Sequence, residues 1–241
     1  MNREKMSPEK RFLEVREEII DSGYPAELWR LTETFALSYL RKGRIDFDVP
    51  HTRAVVSWGH RLVTDYNERV RRGDIIDGGK EIDSTVIITA AWLHDIGYYG
   101  EFDDVASPEQ VGSKKEKHMI VGAKMASEFL HKEALGMLSK EQIRQIVGLI
   151  RVHDDLKKIK TMPETILLEA DTLGAMDISW VKPTFKGQQA LDYLSRDRTK
   201  ERHKIFKTPL GRESRKEIVD RFRQFIIERD FNGIDPIGKI G

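Results

Sequence analysis

The sequence predicts an all-α fold, in which about eight or nine helices form a compact bundle. Apolar residues recur at the three- and four-residue spacing of amphipathic helices along most of the chain, and no series of alternating residues indicates β-strands. Serine or proline stands where these segments begin, and glycine where they end. The 241 residues are enough to bury one sizeable core. A single domain over residues 1–241 is therefore expected.

The first three helices are predicted from their end signals and apolar faces. Two of them fall within residues 7–43, and the first of these ends at Gly23. Residues 45–50 are predicted to be a short connection. The third helix then begins near His51 and ends at Gly73, which makes His51 a first-turn residue.

The fourth helix carries an apolar run that ends in the adjacent residues His94 and Asp95. Asp83 or Ser84 can cap its start, and Gly97 is predicted to stop it. The His-Asp pair is therefore expected in the last buried turn, beside the unpaired carbonyl groups of a helix C-terminus. The polar stretch that follows predicts a long loop next to the pair.

The later helices are predicted from the same signals. The fifth covers about 114–131, the sixth begins at a capping box at Ser139, and the seventh follows Pro163. A helical region over about 187–197 precedes a strongly charged stretch and a last amphipathic helix. We expect the C-terminal helices, over 185–230, and the N-terminal pair to pack on a central core.

The composition excludes several classes of function. A net charge of +1 gives no reason to expect nucleic acid as a partner. The absence of cysteine excludes thiolate nucleophiles and thiolate metal sites, so only imidazole and oxygen remain as ligands. The charged start and the lack of an apolar stretch of ~18 residues predict a cytoplasmic protein without a membrane partner. The composition leaves an oligomer possible.

Six histidine and aspartate residues lie near helix ends or in otherwise apolar helical segments. Polar groups at core-facing positions cost free energy unless they are paired or bound, so several of them in successive helices indicate one common polar site. A His-Asp pair alone would be explained more simply as a helix end with a hydrogen-bonded histidine. The candidate ligands are His51, His94, Asp95, His118, His153 and Asp171.

Three segments carry a histidine, then a His-Asp pair, then a distant aspartate, in that order: residues 49–55, 91–97 and 168–173. With these motifs the chain resembles the HD superfamily of metal-dependent phosphohydrolases, over about 48–175. The resemblance implies an HD-type helical bundle and a metal-dependent enzyme. It also implies the ligands of a first divalent metal: His51, His94, Asp95 and Asp171.

Some branches of this superfamily bind a second metal through two further histidines between the His-Asp pair and the last aspartate. His118 and His153 occupy those places, although histidines at helix ends can also be purely structural. The resemblance therefore favours two ions, bridged by Asp95 because a carboxylate offers two oxygens. Nitrogen and oxygen ligands are compatible with Mn, Fe, Ni, Co, Zn or Mg.

The chemistry implied by the resemblance is hydrolysis of a phosphoester or phosphoanhydride bond in a small phosphorylated substrate, preferably a nucleotide. Asp95 is predicted to be catalytic, together with Glu101 and Asp104 in the following loop, which could assist proton transfer to the leaving group. Arg53 and Lys117 are predicted to bind substrate phosphate, although surface lysines and arginines are more often simply solvated.

Two alternatives remain open. A related branch with the same ligand number oxygenates a polyol or a phosphonate at a di-iron centre, and a metal-binding module could sense a nucleotide without turnover. The cyclic-dinucleotide phosphodiesterase branch is not supported, because Tyr98 stands where that branch has a lysine directly after the His-Asp-Ile-Gly motif.

Overall fold

The computed structural model describes residues 6–75, 79–99, 114–195 and 197–233, and within these ranges the protein contains α-helices and no β-strand. The all-α prediction is confirmed, with ten α-helices where about eight or nine were predicted, and one 3₁₀ helix at Ile96–Tyr98. None of the described helices is long and apolar enough to cross a membrane. The α-helices are α1 (Pro8–Asp21), α2 (Ala26–Leu40), α3 (Ile45–Arg72), α4 (Ser84–Leu93), α5 (Lys115–Glu133), α6 (Lys140–Val152), α7 (Met162–Met176), α8 (Gln188–Ser195), α9 (Asp197–Lys204) and α10 (Pro209–Phe231).

The core is organised around α4, which is buried along nearly its whole length. Every residue from Val86 to Leu93 is buried, because α2, α3, α6 and α7 pack around this helix. The indole ring of Trp92 lies 5.3 Å from that of Trp29 and 5.6 Å from the Phe12 ring, which extends the core to α1 and α2. Within this helix the Thr89 hydroxyl is satisfied by a hydrogen bond to Tyr24, and the charged groups of the segment lie at its two ends.

The helices α3 and α7 form the most extensive helix pair in the described part of the chain. The start of α3 corrects the prediction, because the helix begins at Ile45 and not near His51. The Asp48 carboxylate accepts hydrogen bonds from the backbone N–H and the guanidinium of Arg44, at 2.8 and 2.6 Å, and so stabilises an earlier first turn. His51 is therefore a buried residue of the second turn.

The His-Asp pair lies just beyond the last turn of α4, whereas the sequence predicted it within that turn. The helix ends at Leu93, His94 is its C-cap residue, and the 3₁₀ helix follows directly after Asp95. The backbone of Asp95 leaves helical geometry, with φ −107° and ψ 4°. The pair is thus held in a buried turn between two short helical segments.

The sequence predicted that Gly97 ends the fourth helix, but α4 already ends at Leu93, and Gly97 instead allows a close contact between two backbone segments. Its α-carbon packs directly against α5, where an added Cβ would lie 2.6 Å from the Gly122 nitrogen and would overlap the carbonyl oxygen of His118. Only glycine permits this contact, because both neighbours are backbone atoms. It brings the turn that carries the His-Asp pair against the helix that carries His118.

The C-terminal helix α10 packs on α7 and α3. Its start is fixed to α7 by the Glu169 carboxylate, which accepts backbone N–H groups of Lys207 and Thr208 at 2.5 and 3.1 Å and also the Thr208 hydroxyl. The helix α9 was not predicted. Six of its eight residues, 197–204, are charged and none is apolar, so the sequence shows no apolar periodicity there.

Candidate metal centre

Four side chains from α3, the turn after α4 and α7 bring their donor atoms together; we call them the first donor set. The Nε2 atoms of His51 and His94 lie 3.3 Å apart. The Asp171 Oδ1 atom lies 3.1 Å from the first nitrogen and 3.8 Å from the second. The Oδ2 atom of Asp95 lies 3.6 and 3.3 Å from the same two nitrogens. The donor atoms of His51, His94 and Asp171 are therefore close enough to share one ion, and Asp95 Oδ2 lies beside both imidazoles.

Two further histidines form the second donor set together with the other oxygen of Asp95. The Nε2 atoms of His118, in α5, and His153, at the C-cap of α6, lie 3.2 Å apart. Each of them lies 3.5 Å from Asp95 Oδ1. The two oxygens of one carboxylate thus face two different groups of nitrogen atoms.

The donor separations fit divalent cations. Zn–N and Zn–O bonds of about 2.0–2.2 Å place neighbouring ligand atoms roughly 3.0–3.5 Å apart in octahedral or tetrahedral geometry. Most separations in both donor sets fall in or near this range. Two nitrogen lone pairs at such a distance repel each other unless a proton or a cation lies between them, and a divalent cation could occupy this place in either donor set.

Backbone carbonyl groups orient two of the imidazole rings. The Nδ1–H of His94 donates to the carbonyl of Ala91, and that of His153 to the carbonyl of Ile150, both at 2.8 Å. Because a neutral imidazole carries one proton, each of these bonds leaves the Nε2 lone pair pointing at the donor cluster. Both residues directly follow a helix, where carbonyl groups of the last turn lack helical partners.

Aromatic rings orient the other two histidines. His118 stacks on Tyr98 with ring centroids 3.8 Å apart, and His51 stacks on Phe47 at 5.2 Å. Within the described residues, the Nδ1 atoms of these two histidines have no hydrogen-bond partner. In each donor set, one imidazole is therefore oriented by a hydrogen bond to a backbone carbonyl and the other by stacking on an aromatic ring.

A family model for the HD domain matches residues 49–181, which is more than half of the chain. The chain belongs to the HD-domain family. HD-domain proteins are a superfamily of metal-dependent phosphohydrolases that bind divalent metals, and the His/Asp cluster described above could hold such a metal. No curated protein and no solved structure matches the chain.

The electrostatics of the HD-domain site favour positive charge. Burial raises the pKa of Asp95 and of Asp171, but the surrounding histidines, and for Asp171 first of all the Arg202 guanidinium, hold both pKa values well below the usual range. Burial lowers the pKa of His94, yet the carboxylates of Asp95 and Asp171 raise it to about 9. Burial and the neighbouring His153 lower the pKa of His118 to about 4. A proton therefore competes with a cation more strongly at His94 than at His118.

A second layer of charge surrounds the HD ligands. The guanidinium of Arg202, in α9, forms ion pairs with Asp154 and Asp171 and donates from Nε to the Thr172 hydroxyl at 2.8 Å. The Nζ atom of Lys115 lies 2.5 Å from the other oxygen of Asp154. Burial raises the pKa of Asp154, but these two cations lower it to about 2. The sequence reasoning did not identify Arg202 or Asp154.

Two of the remaining predicted site residues, Arg53 and Lys117, lie outside this cluster. Arg53 places its guanidinium 4.8 Å from the centre of the Phe12 ring. Lys117 is exposed on α5, whereas Lys115, two residues earlier, reaches the site. Glu101 and Asp104 lie outside the described residues, so their roles stay predictions.

A cavity of about 130 Å³ opens onto the HD site. It is bounded by ligands of both donor sets, by the second layer of charge and by four aromatic side chains. The aromatic side chains are Phe47, Tyr98, Phe185 and Tyr193, and the charged ones besides the ligands are Arg44, Lys115, Asp154 and Arg202.

Proposed function

We propose that this HD-domain protein hydrolyses a phosphoester or phosphoanhydride bond of a small phosphorylated molecule, preferably a nucleotide, with two divalent cations. The division of the Asp95 carboxylate between the two donor sets carries this proposal, because each oxygen lies 3.3–3.6 Å from its own pair of histidine nitrogens. Divalent ions bound in this way lower the pKa of a bound water and neutralise charge on a phosphoryl group.

The charges around the cavity support an anionic substrate. Its lining holds three carboxylates, those of Asp95, Asp154 and Asp171, and an equal number of cationic side chains. Arg44 is already paired with the Asp48 carboxylate, so the protein groups leave no excess of positive charge, and divalent cations would make the cavity net positive. A phosphate group is attracted to such a cavity, whereas a neutral polyol is not.

Aromatic side chains support a nucleotide within that class. Phe185 and Tyr193 both line the cavity, with ring centroids 5.7 Å apart. Aromatic faces bind nucleobases by stacking and limit the access of water to the site. Lys115 and Arg202 compensate Asp154 and Asp171, so neither carboxylate repels an approaching phosphate at full strength.

The test begins with protein purified without chelator, in which metal content is measured first. Phosphate or pyrophosphate release from nucleotides and phosphomonoesters is then followed with added Mn, Ni, Co or Mg, in air and without oxygen. We expect metal-dependent release in both atmospheres. Turnover of a polyol or phosphonate only in air would favour the oxygenase, and nucleotide binding without any turnover would favour a sensor.

A matched pair of variants tests the role of the shared carboxylate. Asp95→Asn keeps the shape of the side chain but replaces one oxygen by an N–H₂ group that cannot bind a cation, so we expect fewer bound ions and loss of turnover. Asp155→Asn makes the same change at a surface residue that pairs with Lys158, and wild-type turnover is expected. Equal activity of the two variants would refute the proposed centre.

A further inference from the structure

Arg202 lies outside the part of the chain that matches the HD family, yet its side chain reaches the metal ligands. The match ends at residue 181, and Arg202 belongs to α9. Only 8% of its surface is exposed. The segment that follows the family domain therefore supplies a buried cation to the centre.

The Arg202 guanidinium binds three acceptors through three of its nitrogen atoms, in the planar fork geometry of arginine. Its Nη2 side binds the outer oxygen of Asp171, Oδ2, its Nη1 side binds Asp154, and Nε donates to the Thr172 hydroxyl at 2.8 Å. The Thr172 hydroxyl in turn donates to the carbonyl of Leu168 at 2.7 Å, so the acceptor itself is fixed to α7. A planar fork of this kind sets the orientation of the groups that it binds.

The consequence for Asp171 is that only one of its oxygens faces the first donor set. Oδ2 is occupied by Arg202, and Oδ1 lies 3.1 Å from the His51 nitrogen. Without the fork the carboxylate could turn and bring either oxygen, or both, toward a cation. Asp171 is thus presented as a ligand with a single defined oxygen.

The same guanidinium also reaches the second donor set through Asp154. This residue directly follows the ligand His153, and its other oxygen lies 2.5 Å from Lys115 Nζ. Lys115 stands one helical turn before His118 on α5. One network of ion pairs therefore joins α9 to the elements that carry ligands of both sets.

We propose that Arg202 is a positioning residue of the metal centre, which holds Asp171 as a single-oxygen ligand and joins the two donor sets through Asp154 and Lys115. The proposal rests on the metal centre proposed above. It assigns a role at the centre to the C-terminal segment, which the family domain does not include.

The experiment titrates the full-length, metal-free protein with Co²⁺, alone and in competition with a chelator, and records the visible Co²⁺ spectrum. Arg202→Gln removes the fork and the charge, and Arg202→Lys keeps the charge without the fork. Thr172→Val removes the acceptor of Nε, together with the hydrogen bond to the Leu168 carbonyl, and leaves the charge of Arg202 in place. Lys204→Gln, at an exposed position of the same helix, is the control for the loss of charge.

We expect Arg202→Gln to weaken Co²⁺ binding by about 10–100-fold, the usual effect of losing an outer partner of a ligand. Its Co²⁺ spectrum should change because Asp171 is no longer held to one oxygen. Arg202→Lys should lie between Arg202→Gln and the wild type in affinity, with a spectrum that is also altered. Thr172→Val should show a smaller loss in the same direction, and Lys204→Gln should match the wild type.

Wild-type Co²⁺ affinity and spectrum in Arg202→Gln would overturn the proposal, even if that variant were less stable to heat. Tighter binding would also overturn it, because the arginine would then compete with the cation for Asp171. If Arg202→Gln does not fold, Arg202→Lys and Thr172→Val decide by the same criteria. A wild-type protein that binds no Co²⁺ would instead refute the metal centre itself.

Discussion

Replacing Gly97 by alanine should damage the second donor set and leave the first one in place. The new methyl group would meet the carbonyl oxygen of His118 and the nitrogen of Gly122, and both are backbone atoms of α5 that cannot rotate away. The ligands of the first donor set come from α3, α7 and the turn after α4, so a retreat of α5 should displace them less than it displaces His118.

The size of the effect follows from the separations. A carbon at 2.6 Å from the Gly122 nitrogen must move to an ordinary contact of about 3.4 Å or more, so α5 must retreat by on the order of 1 Å. That shift would lengthen the 3.5 Å separation between His118 Nε2 and Asp95 Oδ1 to roughly 4.5 Å. Both atoms could then no longer bind one ion at about 2.1 Å with ordinary angles.

We expect Gly97→Ala to lower the free energy of unfolding by about 1–3 kcal/mol, as overpacked cores do. For a chain of this size that is roughly 2–4 °C in melting temperature for each kcal/mol. Metal stoichiometry should fall from two ions toward one. Turnover should drop on the order of 100-fold, the usual cost of a 1 Å misplacement.

Two other glycines provide a graded series for calorimetry, metal analysis and turnover. A Cβ at Gly122 would lie 3.3 Å from the Gly97 nitrogen, which requires a shift of only tenths of an ångström, so Gly122→Ala should be mild. Gly148, in α6, is exposed with nothing near its Cβ position, and Gly148→Ala should stabilise the helix by up to about 1 kcal/mol. The reasoning would be refuted by a Gly97→Ala protein that keeps two ions and wild-type turnover.

Three further predictions concern single side chains. His118→Ala and His153→Ala should each lower the number of bound ions from two toward one and reduce turnover strongly. The control His131→Ala, at an exposed position, should change neither. Equal metal content in all three variants would contradict the second donor set. Burial raises the pKa of Glu169 from 4.5 to about 6. The free energy of unfolding should therefore fall by roughly 2 kcal/mol as the pH rises from 4.5 to about 6, because the folded protein holds this proton more tightly than the unfolded chain. In urea unfolding Glu169→Gln should lack this fall, whatever its absolute stability. Tyr24→Phe removes a buried hydrogen bond of 2.8 Å to a threonine of α4 and should cost about 1 kcal/mol in the same assay, and no change would show that the threonine finds another partner.

The helices with an apolar face were predictable because their buried positions carry apolar residues at intervals of three and four in the sequence. The capping box at Ser139 is present as predicted, and α5 covers nearly the predicted range. The start of α3 was not predictable from periodicity, since it depends on the ion pair between Arg44 and Asp48. The helix α9 was missed because a charged segment shows no apolar pattern, even though its Arg202 side chain is buried.

The candidate ligands were predictable as a group because a conserved order of residue types carries a family's chemistry. That they bind metal stays a prediction. Helical geometry would have favoured Lys115, three residues before His118, over Lys117, which points to another side of α5. The same geometry places Arg53, two residues after His51, on the opposite side of α3 from that ligand. Arg202 left no such signal, although an aspartate directly after a ligand histidine needs a counter-ion.

In the proposed two-metal centre one carboxylate serves both donor sets, so the affinities of the two cation positions would depend on each other. A cation that occupies the first position fixes the Asp95 side chain and thereby changes the binding free energy at the second position, and thermodynamic reciprocity requires the same change in the opposite order of filling. A half-loaded protein is thus a distinct chemical species with its own metal preference. When two different metals are supplied together, the order in which they bind and their dissociation rates could therefore decide which metal occupies each position.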